Sequence, residues 1–345
     1  MEVLRAGLTG LGFMGAAHLH NYGELSKNGV PVKLVAVCDT DENKLNVTEA
    51  AKGNINIGSA KLDLSQYNLY TDIKRMIEKE NLDIVDLCLP TYLHGPMAIE
   101  AMESGVNVFS EKPMAISSAM CQQMIDTSER TGKRLMIGHT LRYWDSYEYL
   151  KSCVEDKRYG ACVSAYFFRG GGTPVWSWNN WLLQKEKSGG CLLDQHVHDV
   201  DLINWLFGLP EAVTSIGKVV NIGNGYDVVS TNYIYGDKVI NAQDDWTING
   251  DFGFDYTYRV NFETGAVVLK DGATTVYPAD APKFAAELHG ESGYYKELRL
   301  FVENLTGKSH SLDFIGLLES HRGSIRLAEA EMESCDKNGD KVYLQ

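Results

Sequence analysis

The sequence predicts an α/β protein in which a doubly wound parallel sheet precedes an α+β region with a large, mainly antiparallel sheet. Three observations predict this order. Short apolar runs alternate with helix-like stretches up to about residue 140, which is the pattern of a parallel sheet covered by helices on both faces. After Leu141, aromatic and β-branched segments with period-two alternation dominate. A glycine-rich turn directly follows the first apolar run.

Each element of the first region follows from its apolar pattern. The predicted strands are residues 4–9, 33–38, 84–89, 106–110 and 134–138. The predicted helices are 15–27, 73–79, 95–104 and 117–131, each long enough for a right-handed crossover connection.

The second region is predicted to be strand-rich, with a turn at Asn249-Gly250 and another around residues 223–225. One helix, 190–207, interrupts it and ends at Gly208 and Pro210. Two further helices, 293–305 and 317–332, close the chain. The predicted domains are therefore residues 1–140 and 141–345, with the C-terminal helices free to pack back on the first domain.

The charge balance excludes several classes of partner. Net charge is −14, from 46 acidic against 32 basic residues, which disfavours binding to nucleic acid or anionic lipid. No apolar run approaches the ~20 residues of a membrane span. The start of the chain does not resemble a signal peptide. The seven cysteines are scattered and form no C-x-x-C pair, which is typical of free thiols in the cytoplasm.

A dinucleotide-binding turn is predicted at Gly10-Leu11-Gly12-Phe13-Met14-Gly15, between a strand and a helix. Gly10 permits the tight turn, Gly12 allows the backbone to approach a pyrophosphate, and Gly15 allows close packing of helix and strand. The helix amino end offers N–H groups to the phosphates. The alternative is a glycine turn without a ligand.

Asp39 ends the second predicted strand and is the expected acceptor for the two hydroxyls of an adenine ribose. Its charge would repel a 2′-phosphate, and Thr40, Asp41 and Glu42 supply no arginine, so NAD is predicted rather than NADP. The alternative is that Asp39 only caps the following helix.

Lys112 lies in the tripeptide Glu111-Lys112-Pro113, after the strand predicted at 106–110. It is therefore expected at the carboxyl edge of the parallel sheet, where such folds bind ligands. A lysine there can donate a proton or hydrogen bond to a carbonyl oxygen as hydride moves. Taken alone, such a tripeptide is more often a solvated turn than a site.

A polar stripe is predicted on the helix 190–207. Asp194, His198, Asp201 and Trp205 step by four, three and four residues and so share one face, whereas His196 points elsewhere. An imidazole one turn from a carboxylate is a candidate general base. The alternative is a row of polar side chains that make their hydrogen bonds within the protein and have no catalytic role. A metal site is not predicted, because His196 and His198 diverge on a helix whereas zinc needs converging ligands.

These residues resemble the glucose-fructose oxidoreductase, inositol dehydrogenase and MocA family. The resemblance covers nearly the whole chain in the right order. It rests on Gly10 to Gly15, Leu89-Pro90-Thr91 with His94, Ala101 to Gly105, Glu111-Lys112-Pro113, Arg142-Tyr143, the segment from Gly189-Gly190 to Gly208, and Tyr295, Glu297, Leu298 and Phe301.

The resemblance implies a Rossmann domain followed by an open-faced sheet domain that assembles homodimers or homotetramers. It implies that Lys112, Asp194 and His198 flank the nicotinamide and substrate, with His198 as the base. By the same resemblance Pro90, Thr91, His94 and Glu111 line the cofactor, and Arg142 and Trp181 lie near the substrate. His196 departs from the family pattern, in which a small residue such as glycine is commoner.

The resulting hypothesis is NAD-dependent oxidation of a secondary alcohol on a sugar, inositol or related polyol. A redox-neutral glycosidase or epimerase that forms a transient keto-sugar is one alternative, and a non-catalytic NAD-binding sensor is another. Trp176, Trp178 and Trp181 fit either a sugar platform or ordinary core.

Overall fold

The computed structural model of the chain describes residues 3–49, 53, 62–221, 223, 225–308 and 312–344. The chain forms two compact units, each assembled from separate stretches. The first comprises Met1–Thr140, Trp176–Asn179 and Ser292–Arg322; the second comprises Leu141–Val175, Asn180–Glu291 and Gly323–Gln345.

A six-stranded parallel sheet forms the centre of the first unit. Its strands are β1 (Leu4–Thr9), β2 (Val32–Cys38), β3 (Asn68–Tyr70), β4 (Ile84–Leu87), β5 (Asn107–Glu111) and β6 (Leu135–Gly138). Their order, β3-β2-β1-β4-β5-β6, reverses direction between β1 and β4. The predicted doubly wound sheet is confirmed, and the short strand β3 is an addition to it. Ligands of such sheets bind beyond the carboxyl ends of the strands at this reversal.

Four helices connect these strands: α1 (Phe13–Lys27), α2 (Ile73–Glu80), α3 (Thr91–Glu103) and α4 (Ser118–Thr131). Local signals set their ends. The Asp72 carboxylate accepts from Lys74 N at the start of α2, and Gly132, with φ of 69°, ends α4. Helix α3 begins four residues before the predicted start at 95 and contains Pro96.

A nine-stranded sheet forms the centre of the second unit. Its strands are β7 (Cys162–Gly171), β8 (Ala212–Lys218), β9 (Val228–Ile234), β10 (Val239–Asp245), β11 (Phe254–Phe262), β12 (Gly265–Lys270), β13 (Ala273–Pro278), β14 (Phe284–Ala285) and β15 (Val342–Tyr343). In the order β14-β13-β12-β11-β7-β10-β9-β8-β15, the pair β7 and β10 is parallel and the other pairs are antiparallel. The prediction of a mainly antiparallel sheet is confirmed.

The two faces of this sheet differ. Phe167 and Tyr258 are fully buried on one face, whereas their neighbours Tyr166 and Arg259, which pair with each other, lie on the opposite, more exposed face. Alternation of buried and exposed residues is the mark of an antiparallel sheet with one face on a core.

The later helices are α5 (Asp145–Glu155), α6 (Lys185–Ser188), α7 (Gly190–Asp194), α8 (Val197–Phe207), α9 (Gly293–Leu305) and α10 (Phe314–Asp336). Helix α9 has the predicted bounds, and α10 extends beyond the predicted 317–332. In the first unit α9 packs on the parallel sheet, where the rings of Phe301 and Phe109 lie 5.8 Å apart. The Asn28 amide of the first unit also donates to the Tyr295 hydroxyl at 3.0 Å.

One prediction of secondary structure is wrong. The helix expected at 190–207 is interrupted at Gln195 and His196, which separate α7 from α8. The argument that Asp194 and His198 share one face of a continuous helix therefore fails. The predicted end of the helix is confirmed, because Gly208, with φ of 75°, caps the C-terminus of α8.

No helix among the described residues combines the length and the apolar character that crossing a bilayer requires. The seven cysteines all lie in the described ranges, and none of them forms a disulfide bond.

Candidate active site

The glycine turn follows β1 and opens α1 in the first unit. Gly10 has φ of 92°, and a Cβ there would lie 2.2 Å from the Cys88 carbonyl oxygen. A Cβ on Gly15 would lie 1.8 Å from the Gly10 carbonyl oxygen, so both glycines are required by the protein's own packing. A Cβ on Gly12 would meet no atom within 4 Å. The space in front of Gly12, at the amino end of α1, is therefore open to a ligand, and this position favours an anion.

Asp39 follows β2, as predicted, and is 6% exposed. Its carboxylate accepts N–H groups from Leu11 at 2.8 Å and Asp41 at 2.9 Å, and it pairs with the Lys44 ammonium at 3.2 Å. Asp39 therefore joins the glycine turn to the segment after β2. The prediction of NAD rather than NADP rested on residues 40–42 and did not include Lys44, which is a cation beside Asp39.

Lys44 also lies 5.4 Å from the ring centroid of Trp178, and both residues belong to the first unit. Trp178 is 44% exposed. Trp178 thus contacts the cation that pairs with Asp39, a placement that neither the sugar-platform nor the core interpretation predicted.

Lys112 follows β5 directly, at the carboxyl edge of the parallel sheet. Its backbone N–H donates to the Glu111 carboxylate at 3.1 Å. On the other side, the His94 ring lies between two carbonyl oxygens, 2.7 Å from Pro113 and 2.8 Å from Leu89. Burial lowers the pKa of His94, although the two carbonyls oppose this. Glu111 and His94 hold the backbone around Lys112; their contact with a cofactor stays a prediction.

Pro90 and Thr91 begin α3, beyond the carboxyl end of β4. Thr91 is 1% exposed, and its hydroxyl oxygen has no hydrogen-bond partner among the described residues. A buried hydroxyl normally has such a partner. An unsatisfied hydroxyl at the reversal point of the sheet is consistent with a ligand-binding position.

A buried polar cluster underlies Lys112, and sequence reasoning missed most of it. His18 on α1 contacts Asp86 on β4 at 2.8 Å through Nδ1 and Glu111 at 3.0 Å through Nε2. All three side chains are buried. Burial alone would lower the pKa of His18, but the charge of Asp86 and its hydrogen bond outweigh this and raise it well above its ordinary value.

Glu297 on α9 completes this cluster. It is fully buried, and neither carboxyl oxygen has a hydrogen-bond partner among the described residues. Burial and the nearby charge of Glu111 raise the pKa of Glu297 well above its ordinary value. We define His18, Asp86, Glu111 and Glu297 as the first cluster. The motif containing Glu297 had been noticed in the sequence, but its burial beside Glu111 had not.

Asp194 and His198 stand out in the second unit by their exposure. Every residue from Cys191 to Ile203 is buried except these two. Asp194 ends α7 and His198 is the second residue of α8. The segment buries its other residues and leaves Asp194 and His198 only partly buried, with the Nδ1 atom of His198 inside the protein; a carboxylate and an imidazole in such positions form a candidate acid–base pair.

Asp201 does not share this exposure. It is 2% exposed, and Arg142 binds it with two hydrogen bonds of 2.7 Å. The Ser324 hydroxyl also donates to it at 2.8 Å. The predicted four-residue stripe is therefore wrong, because Asp201 anchors α8 in the second unit. The contact of Arg142 with substrate stays a prediction, as does that of Trp181, which is partly buried.

The comparisons with known proteins agree with this architecture. Residues 4–139 match the profile described as an oxidoreductase family with an NAD-binding Rossmann fold. Residues 147–296 match the C-terminal domain of the same GFO/IDH/MocA family. The fold and its glycine turn thus agree with the class that this profile describes, an oxidoreductase family with an NAD-binding Rossmann fold. The chain belongs to the GFO/IDH/MocA family, as its sequence motifs predicted.

Two relatives and one solved structure illustrate the range of this family. A 2,7-anhydro-N-acetylneuraminate hydratase of Mediterraneibacter gnavus is 30% identical over 69% of this chain and 60% of its own length. An inositol 2-dehydrogenase of Salmonella paratyphi B is 26% identical over 59% of this chain and 54% of its own length. The WlbA dehydrogenase of Bordetella pertussis, solved with NADH and UDP-GlcNAcA, has a TM-score of 0.81 at 21% identity over 100% of this chain and 99% of its own.

Proposed function

We propose that the protein transfers hydride between NAD and a secondary alcohol of a sugar, inositol or related polyol. The first unit is assigned as the cofactor-binding domain and the second as the substrate domain. The observation that carries the proposal is the exposure of Asp194 and His198 in an otherwise buried segment. The inositol dehydrogenase relative supports the substrate class.

The residues of the first unit fit NAD. The open space at Gly12 and the amino end of α1 would hold the pyrophosphate, and α1 has no acidic residue in its first turn to oppose it. Asp39 would accept the ribose hydroxyls, since each carboxylate oxygen has two lone pairs. The unsatisfied Thr91 hydroxyl offers a further contact. Bound NAD would accept the hydride.

Each reacting side chain has a distinct role in this proposal. His198 takes the hydroxyl proton as the C–H bond of the substrate gives up its hydride. Lys112 stabilises the developing alkoxide with its ammonium, and Asp194 orients the hydroxyl. The proton would end on the His198 imidazole, and NAD held by the first unit would supply the hydride acceptor, so that the secondary alcohol would become a ketone.

Turnover of two alanine variants tests these roles. Lys112→Ala and His198→Ala should each lower kcat by about 10² to 10⁴, the usual scale of lost acid or base catalysis. His289→Ala is the matched control for loss of an imidazole, because His289 is exposed. The assay measures the absorbance of reduced nicotinamide over a panel of sugars and inositols, with NAD and separately with NADP. Full turnover in both variants would refute the assignment.

A redox-neutral reaction is the second candidate, because the hydratase of M. gnavus is a relative of this chain. Here the hydride returns to the substrate after a bond next to the transient carbonyl has changed. Substrate would then be consumed with no net NADH. Deuterium placed on the oxidised carbon would return to the product, whereas a net dehydrogenase would leave it on the cofactor.

We also propose that a second copy of the chain covers the exposed face of the nine-stranded sheet, giving a homodimer or homotetramer. Ile216, Val239 and Tyr277 on that face are 60%, 71% and 42% exposed. Exposed apolar side chains on several strands of one sheet face favour an association surface. Sedimentation velocity would measure the mass of the assembly.

We also propose that the protein works in the cytoplasm. The free thiols of its cysteines support this compartment.

A further inference from the structure

The backbone between α7 and α8 is irregular at His196. The N–H groups of Gln195 and His196 both donate to the Cys191 carbonyl, at 3.0 and 2.8 Å, so the second of these bonds spans five residues. The next hydrogen bond spans only three residues, from the His198 N–H to the Gln195 carbonyl, and is 3.1 Å long. A wide turn followed by a tight one changes the direction in which successive side chains point, and such irregular helical turns are frequent at functional sites.

The His196 ring is held on both sides by carboxylates. Its Nδ1 contacts Asp244 on β10, and its Nε2 lies 2.9 Å from Glu331 on α10. All three side chains are fully buried. Each ring nitrogen thus faces a carboxylate, an arrangement that favours a ring protonated on both nitrogens. Burial opposes the charge, but Glu331 and Asp244 outweigh it and raise the pKa of His196 well above its ordinary value.

Further buried contacts support the same side of the turn. The Gln195 amide donates to the Arg169 carbonyl at 3.1 Å and accepts from the Trp246 indole at 2.9 Å. Asp199 pairs with the Arg169 guanidinium at 3.2 Å. Residues 195, 196 and 199 are thus fixed to the sheet or to α10, while Asp194 and His198 retain exposure.

We propose that His196 is a positioning residue, whose ring ties the wide turn to β10 and α10 and thereby sets the direction of Asp194 and His198. This inference rests on the proposed function only in taking those two side chains as the reacting pair. A residue with a smaller side chain at this position would make none of these contacts.

The test compares His196→Gly with a matched control, Ser334→Ala. Ser334 lies on α10 near Glu331, is fully buried, and accepts from Ser215 N–H at 2.8 Å, so its variant also loses a buried tether of this helix. Each protein is assayed at the same interval below its own Tm. We expect His196→Gly to lower kcat about 10- to 100-fold with little change in KM, because misplaced reacting groups slow the chemical step. The control should keep the kcat of the unaltered protein.

A milder variant covers the case in which His196→Gly fails to fold. Glu331→Gln keeps the shape of the side chain but removes the negative charge of the carboxylate beside the His196 ring. It should lower kcat in the same direction, by about 2- to 5-fold, since one of the two anchors remains. The proposal would be overturned if His196→Gly and Glu331→Gln both kept the kcat of the unaltered protein while their Tm fell as in Ser334→Ala. His196 would then be a purely structural residue.

Nitrogen NMR of the histidine-labelled protein provides a readout that needs no turnover. The unaltered protein should show His196 with both ring nitrogens protonated at neutral pH. The His198 ring signals should shift in Glu331→Gln and not in Ser334→Ala. A neutral His196 ring, or an unmoved His198, refutes the positioning role even if no substrate is found. If instead His198 shifts while Lys112→Ala and His198→Ala keep full turnover, the proposed function fails and the positioning role stands.

Discussion

Each unit contains a fully buried histidine held between two carboxylates from different elements. In the first unit His18 lies between Asp86 and Glu111. In the second unit His196 lies between Asp244 and Glu331. In both cases burial lowers the pKa of the ring but nearby acidic groups outweigh it, Asp86 and Cys88 for His18, and Glu331 and Asp244 for His196. Each histidine thus joins elements far apart in the chain through contacts that favour its protonated form.

The two clusters differ in their supply of hydrogen-bond donors. In the second, Glu331 accepts from His196 and also from the Thr231 hydroxyl at 3.1 Å. In the first, Glu297 is buried next to Glu111 with no donor among the described residues. The first cluster therefore carries one carboxyl with no donor on either oxygen and a raised pKa, whereas Asp244 and Glu331 of the second each have a partner on one oxygen and none among the described residues on the other. The difference makes the two units respond differently to mutation and to pH.

Removing the histidine of the first cluster should have the largest effect. His18→Leu leaves Asp86 and Glu111 buried without their cation, and breaking a buried pair in this way costs about 3–5 kcal/mol. His196→Leu should cost less, because the Arg169 guanidinium also interacts with Asp244. Urea unfolding followed by tryptophan fluorescence measures both free energies.

His20→Ala is the control for His18→Leu, since His20 lies on the same helix, partly exposed. It should change the free energy of unfolding by less than about 0.5 kcal/mol. If His18→Leu were as mild as this control, the ring would not be acting as a buried cation.

Glu297→Gln should have a smaller effect that depends on pH. The pKa of Glu297 is raised by folding, so the folded state holds a proton that the unfolded state releases above the ordinary glutamate pKa. Its contribution is full at acidic pH and is lost as pH rises through the folded pKa, at up to ~1.4 kcal/mol per pH unit. The neutral amide removes this dependence.

Tm measured from mildly acidic to alkaline pH checks this expectation. The unaltered protein should lose more Tm than Glu297→Gln as pH rises. Glu331→Gln in the second cluster should show no such gain at alkaline pH, since it removes a carboxylate that already has donors. Parallel pH profiles of Glu297→Gln and the unaltered protein would show that Glu297 is ionised in the fold.

These clusters also show where sequence reasoning ends. The parallel strands, the glycine turn and the end of α8 at Gly208 depend on local patterns, so the sequence predicted them. The interruption at Gln195 and His196 depends on Asp244 and Glu331, which no local spacing connects to it. The same holds for His18 on α1, whose partners lie on two strands, β4 and β5. The burial of Asp201 was missed because a polar stripe does not reveal that Arg142 satisfies it.

The smallest expected effect isolates the donors of the second cluster. The Tyr233 hydroxyl is buried and lies 3.2 Å from His196 Nε2, near Glu331. Tyr233→Phe should lower the free energy of unfolding by about 0.5–1.5 kcal/mol, the usual contribution of one hydrogen bond. Tyr235→Phe is the control, because its hydroxyl donates to the Gly208 carbonyl at an exposed position. Urea unfolding distinguishes the two. An equal, negligible loss in both would mean that Glu331 does not need the phenol, and the contrast in donor supply between the two clusters would then rest on Thr231 and His196.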